Sequence, residues 1–269
     1  RGGSAGETNR EIKERSKVKA HQRIIREQKA KEISQDLYGK YWENINLDIK
    51  NSEIKEIDYK TARSIILEYE WLGTMGTTQY HFGIYYDGCL AGVVCYGYFQ
   101  AMNTNSGGHP YAPYVGVKYS KNGIQLSRGA CVHWSHKHSG SKLISQSLKT
   151  MSQRGYKYAI AFSDPEAGEI GTIYQATNWY YLGIGVTKHY NIHFKKNDGI
   201  YLDARDLWKK HKMAGKKAIE EWLKDKSGLY VKVSKPKGRY IKLIGNKKEN
   251  KEMMKVLNPL IKPYPKRET

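Results

Sequence analysis

The chain has 269 residues, with 46 Lys and Arg against 26 Asp and Glu, a formal net charge of +20, and three cysteines. That length buries one sizeable core with a terminal extension, no apolar run approaches the roughly eighteen residues of a membrane span, and the cationic excess points to a polyanionic partner, DNA or RNA. Cys89, Cys95 and Cys131 are scattered, odd in number and without C-x-x-C spacing, which suits a reducing compartment, here the cytoplasm.

In chain order, residues 1–6 read as a trimmed or added start and are set aside. Residues 9–36 carry Arg10, Lys13, Arg15, Lys17, Lys19, Arg23 and Arg26 with sparse Ile12, Val18, Ile24, Ile25 and Ile33. This suits a basic helix that orders on a partner or on the body of the protein. Residues 1–50 are therefore expected as a basic, largely helical arm, 51–200 as the catalytic core and 201–269 as a basic helical and strand extension packed on it. Ile54 to Ile57 opens as a strand, and Tyr59 to Tyr69 places Ala62, Ile65, Ile66 and Tyr69 on one helical face. Phe82 to Tyr96 reads as a hairpin turning at Asp87-Gly88. Tyr98 to Tyr119 is rich in Gly, Asn and Pro and is expected as a loop over a cleft.

An apolar run from Ile124 to Trp134 leads into His138, Ser139, Gly140, Ser141 and Lys142, followed by Leu143, Ile144, Leu148 and Met151 at helical spacing. A helix starting there exposes unpaired N–H groups and its positive dipole end, and Gly140 lets an anion approach. The same residues equally suit a Ser/Gly helix cap that binds nothing. Neither G-x-x-x-x-G-K-[ST] nor G-x-G-x-x-G is present. Tyr158 to Phe162 is a buried strand ending abruptly at Ser163, Asp164 and Pro165. Asp164 is either a proton acceptor at a strand's C-terminal end or the cap of the next turn. Thr172 to Trp179 reads as a helix with Tyr174 one turn from Asn178; Tyr174 is either core or the acid partner of Asp164. Strands near 180–187 and 190–194, helices near 203–213 and 215–226, and basic strands near 229–233 and 239–244 complete an α+β chain with a mixed sheet. Basic residues crowd this end, interleaved with Trp208, Trp222, Tyr230 and Tyr240, rings suited to stacking on a displaced base or to half-burial in a solvated surface.

The order strand, Ser/Gly turn, helix, strand, helix resembles the acyl-CoA site of GNAT-type N-acyltransferases. Ser163-Asp164, the stretch Gly171 to Gly183, and the late Arg239-Tyr240 and Pro263 to Lys266 resemble the phage Mom DNA-modification family, over roughly residues 55–266. The resemblance implies a GNAT-like, mostly antiparallel twisted sheet flanked by helices, and transfer of a carbamoylmethyl-type group to N6 of adenine in double-stranded DNA with the base flipped out. Carried onto this chain, it implies Asp164 and Tyr174 as the catalytic pair, Ser139 as the turn hydroxyl and Arg128 as a cofactor or phosphate contact. The turn departs from the usual acyl-CoA pattern, which begins with Arg or Gln and has two glycines. The donor is expected to be acyl-CoA or a related compound, held by Arg128, His138, Ser139, Gly140, Ser141, Lys142 and Asn178. Iron enters by resemblance only.

No metal site follows from spacing. His189 and His193 are four apart, but Tyr190 to Phe194 alternates as a strand, which separates them by about 13 Å. His133, His136 and His81 suit a base, a phosphate contact or surface imidazoles. Two further readings stay open: an acyl-CoA-dependent N-acyltransferase acting on a protein or aminoacyl-tRNA, and a non-catalytic nucleic-acid-binding module.

Overall fold

A computed structural model describes residues 21–34, 44–99, 109–185, 189–196, 200–202, 207, 210–213 and 215–266. Short apolar runs, buried almost throughout, set its central strands. β1 (Glu53–Glu56), β2 (Tyr80–Tyr86), β3 (Cys89–Gly97), β4 (Gly123–Cys131), β5 (Tyr158–Ser163), β6 (Tyr180–Ile184) and β10 (Gly238–Leu243) form one seven-stranded sheet in the order β1-β2-β3-β4-β5-β10-β6. Every neighbouring pair is antiparallel except β4 with β5. The β2–β3 hairpin turns at Asp87 (φ 46°) and Gly88 (φ 79°), the two left-handed residues that a tight primed turn needs.

Helices cover both faces. α2 (Tyr59–Tyr69) starts at Asp58, whose carboxylate accepts from the Thr61 N–H, and buries Ala62, Ile66 and Tyr69. α4 (Ser139–Gln153) buries Leu143, Ile144, Leu148 and Met151, the spacing seen in the sequence. Successive residues of β5 serve opposite faces: Ala159 and Ala161 join the core under α2 and α4, and Tyr158 and Ile160 join a second core with Ile241 and with Met253 and Leu257 of α7 (Lys247–Leu257). That second core also takes Tyr111 and α3 (Ala112–Val115), so the 98–119 stretch holds a short helix where composition suggested loop only; its residues 100–108 lie outside the described set.

α1 (His21–Ser34) docks on the body. Gln22 donates to the Gly129 carbonyl at 2.7 Å, Ile25 is buried, and Lys29 pairs with Glu68 of α2. Between β6 and β10 the chain leaves the main sheet and builds a three-stranded one, β8-β7-β9, from β7 (His189–Phe194), β8 (Ile200–Leu202) and β9 (Leu229–Ser234), with α6 (Lys216–Leu223) burying Ile219 against it. It then returns, and β10 lies inside the main sheet. The segment 201–269 thus divides between an inserted sheet and the central one, a long-range pairing that local patterning does not encode. The helix expected over 203–213 falls largely outside the described residues.

What positions the site is where β4 and β5 part. Their parallel pairing covers only Gly123–Gln125 against Tyr158–Ile160, although β4 runs on to Cys131 and β5 to Ser163. At that level the register of β4 against β3 slips, Cys95 facing Arg128 and Tyr96 facing Leu126, so Ser127 is the extra residue of a bulge. A bulge bends and twists its strand, and it swings the end of β4 away from β5.

Candidate active site

Asp164 follows the last residue of β5. Its backbone is extended, its carboxylate accepts from the Glu166 N–H at 3.0 Å, and the next three residues form a 3-10 turn, so the capping role is real. A second role is added by Lys237, whose ammonium lies 3.2 Å from Asp164 Oδ2 at the start of β10. Gly168 turns the chain at φ 68°, and the Glu169 N–H donates to the Asp164 carbonyl at 3.0 Å. That folds Glu169 back beside Asp164.

α5 (Thr172–Ala176) carries Tyr174. Its start is fixed by Gly171, at φ 74°, where a Cβ would sit 2.5 Å from the Tyr240 ring. The Tyr240 hydroxyl donates to the Ile170 carbonyl at 2.5 Å, and Gln175 Nε2 donates to the same oxygen at 3.1 Å. The helix is shorter than the sequence suggests: it stops at Ala176, and Asn178 sits in the left-handed region at φ 58°. Asn178 is therefore off the Tyr174 face, and its carbonyl accepts from Lys242 at 3.0 Å. The Tyr174 ring packs against Trp179 and Tyr240, with centroids 5.3 and 5.2 Å away. The indole N–H of Trp179 is buried without a hydrogen-bond partner among the described residues.

Around Tyr174 the electrostatics come from two carboxylates that the sequence does not single out. Glu70 caps the end of α2, is buried, and accepts from the Leu72 and Gly73 N–H groups at 2.7 and 3.2 Å. Burial pushes its carboxyl up, while Arg128, those two N–H groups and Lys237 pull the other way. Glu169 is pushed up to about 7, by burial first and then by the charges of Asp164 and Glu70, against Lys237. The Tyr174 phenol is pushed well above its ordinary value by burial, then by Glu169 and Glu70, so it is a neutral O–H at any physiological pH. Asp164 acts on Glu169, and Glu169 in turn acts on the phenol. No sequence signal marks Glu70 or Glu169, because each becomes special only through the burial and neighbours the fold supplies.

Arg128, on β4, acts on Glu70 and draws its carboxyl down. It donates through Nε to the Thr74 carbonyl at 2.5 Å and through Nη1 to the Ser127 carbonyl at 2.6 Å. Cys95 and Cys131 are pushed up to about 12 and about 11, chiefly by burial, so neither is a thiolate.

The Ser/Gly turn lies elsewhere. Ser139 is fully buried, 2.8 Å from the Tyr86 hydroxyl, and Ser141 donates to the His138 carbonyl. Lys142 Nζ donates to the carbonyls of Ile49 and Ser52 at 2.6 and 3.0 Å and to Ser52 Oγ at 2.9 Å, which engages its three donors in holding residues 49–52. What the turn offers an anion is backbone: in the first turn of this 15-residue helix the Gly140 and Ser141 N–H groups are orphan donors among the described residues. They lie beside a groove of about 430 Å³ lined by Lys50, Ser141, Ser145, Ala176 and Thr177. The carboxylates and Tyr174 do not line that groove; α5 contributes to both, its end to the groove and Tyr174 to the cluster. His189 and His193 lie on β7, as the alternation required. Among the described residues no three His, Cys, Asp or Glu side chains are grouped to hold a metal ion. Among the same residues no helix is long and apolar enough to cross a membrane.

The Mom protein family matches residues 51–266, and the chain belongs to it. No curated protein matches the sequence significantly. Solved structures with similar folds include an N-acetyltransferase from Staphylococcus aureus Mu50 (12% identity, TM-score 0.39, covering 72% of this chain and 99% of that one). Others are the ribosomal-protein-S18-alanine N-acetyltransferase of Escherichia coli (9%, 0.38, 72% and 94%) and a Bacillus subtilis acetyltransferase in complex with CoA (10%, 0.37, 71% and 97%).

Proposed function

We propose that this member of the Mom protein family is a group transferase that places a carbamoylmethyl-type or acyl-derived group on the exocyclic N6 amine of adenine in DNA. The observation that carries the chemistry is the grouping of Asp164, Glu169 and Tyr174 where β4 and β5 part. Adenine N6 is a poor nucleophile because its lone pair is delocalised into the ring, so a carboxylate must take its proton as the new bond forms. Glu169, held up at about 7, is matched to that task, and Asp164, paired with Lys237, orients the amine beside it. Tyr174, neutral and half-buried, donates its proton to the departing group of the donor. Arg128, beside Glu70, steadies negative charge there. The target base must leave the duplex to reach these groups.

An acyl-CoA or related donor, when bound, supplies the activated group. The orphan N–H groups of Gly140 and Ser141 fit its phosphates, with Ser139 and Lys142 shaping that turn from behind. DNA as substrate is supported by the family and by the net charge of +20. Nucleoside mass spectrometry of DNA from cells expressing the chain is expected to show an adenine adduct that Asp164→Ala abolishes. An adduct on protein or tRNA with unmodified DNA would replace this reading with N-acylation of those substrates.

A further inference from the structure

The positive charge is unevenly divided along the chain. Of the 46 Lys and Arg and 26 Asp and Glu, residues 51–185, which hold Asp164 and Tyr174, carry 11 and nine. Residues 186–269 carry 23 and nine. A core near neutrality with a cationic last third calls for a place where that excess is displayed.

α7 displays it. Both of its acidic residues turn toward the body and are neutralised there, Glu249 by Lys157 and Glu252 by Lys118, each at 2.7 Å, with the Tyr119 hydroxyl donating to Glu252 at 2.6 Å. Met253 and Leu257 bury the inner face. The exposed face presents Lys247, Lys251 and Lys255 at i, i+4 and i+8, and these make no ion pair among the described residues. The three span about 12 Å of helix axis, a length over which duplex DNA carries about seven phosphate charges. A chain of contacts links α7 to the site. α7 packs on α3, where Tyr114 accepts from Arg239 Nη1 at 2.5 Å. Arg239 is the cross-strand partner of Phe162, two residues before Asp164, and Lys237 reaches Asp164 itself.

We propose that the outward face of α7 is the docking surface for the phosphate backbone of double-stranded DNA, with Arg239 and Lys237 leading from it to Asp164. This rests on the DNA reading above and adds where the duplex sits. The test is fluorescence anisotropy with a labelled DNA duplex over about 50–200 mM salt. The unsubstituted chain is compared with Lys247→Ala/Lys251→Ala/Lys255→Ala and with Lys60→Ala/Lys137→Ala/Lys149→Ala, which removes the same charge from the near-neutral core. The α7 triple is expected to flatten the slope of log affinity against log salt by about two to three, since each lost phosphate contact removes about 0.9, while the core triple leaves it unchanged. Lys→Arg at the three α7 positions restores the slope, which separates lost charge from lost folding. Equal losses in both triples overturn the docking surface and leave the DNA reading standing. Absence of salt-dependent duplex binding by the unsubstituted chain overturns both. Tighter binding to an RNA duplex of the same sequence overturns the choice of DNA.

Discussion

Strand β10 joins two regions built on opposite electrostatic principles. At its start, Lys237 meets Asp164 in a cluster of a few ionisable groups whose properties come from burial. Past its end, α7 carries lysines whose effect comes from exposure and number. Buried charge changes proton affinities and is poorly screened by salt; exposed charge is screened within about 10 Å at ordinary ionic strength and leaves proton affinities alone. The first region is accordingly expected to respond to pH and the second to salt.

The largest expected effect separates the two directly. Tyr174→Phe keeps the ring against Trp179 and Tyr240 and removes only the hydroxyl, and Asp164→Ala removes the carboxylate. Each should lower adduct formation by about 10²–10⁴-fold, measured by nucleoside mass spectrometry, with duplex affinity unchanged. If affinity falls in step with product, the two regions are not separable. Next is Gly171→Ala, which forces a side chain into the left-handed region and against the Tyr240 ring. A loss of about 1–3 kcal/mol is expected in denaturant titration, with the salt slope of DNA binding intact.

Lys142→Met should cost about 1–2 kcal/mol by leaving the carbonyls of Ile49 and Ser52 unpaired. If Lys142 also grips the donor, the apparent donor KM rises while stability accounts for none of it; an unchanged KM assigns the side chain to residues 49–52 alone.

The change in stability is the smallest effect and the most diagnostic of burial. Product formation should rise with pH about a midpoint near 7 as Glu169 ionises, and Glu169→Gln should lose that limb together with about 10²–10⁴-fold of the product. Because the folded state raises this carboxyl above its ordinary value of 4.5, the stability it contributes is full below that value and is lost as pH rises through about 7. The Gln variant should therefore match the parent near pH 4 and melt higher than it at pH 8.

The fold was legible where one strand or helix decides its own fate. Asp58 before an apolar helical face, Asp87-Gly88 between alternating strands, and Tyr158 to Phe162 all form as patterned. α7 escaped notice because Lys247 to Leu257 has only Met253, Met254, Val256 and Leu257 as apolar residues, and its N-terminal capping box of Asn246 and Glu249 is short-range chemistry inside a lysine run. The site was half legible. Asp164 and Tyr174 stand on recognisable segments, whereas Glu70 acquires its character from desolvation, and Glu169 from desolvation and from Asp164 and Glu70, the last about a hundred residues away in the chain. Asn178 illustrates the converse: helical spacing puts it under Tyr174, and the left-handed turn that ends α5 takes it away.

The most direct measurement is mass spectrometry of nucleosides from DNA of cells expressing the full chain, beside cells expressing Asp164→Ala. An adenine adduct present with the first and absent with the second is the predicted result. Unmodified adenine with the full chain, or an adduct that persists in Asp164→Ala, would contradict the assignment of DNA adenine transfer to this cluster.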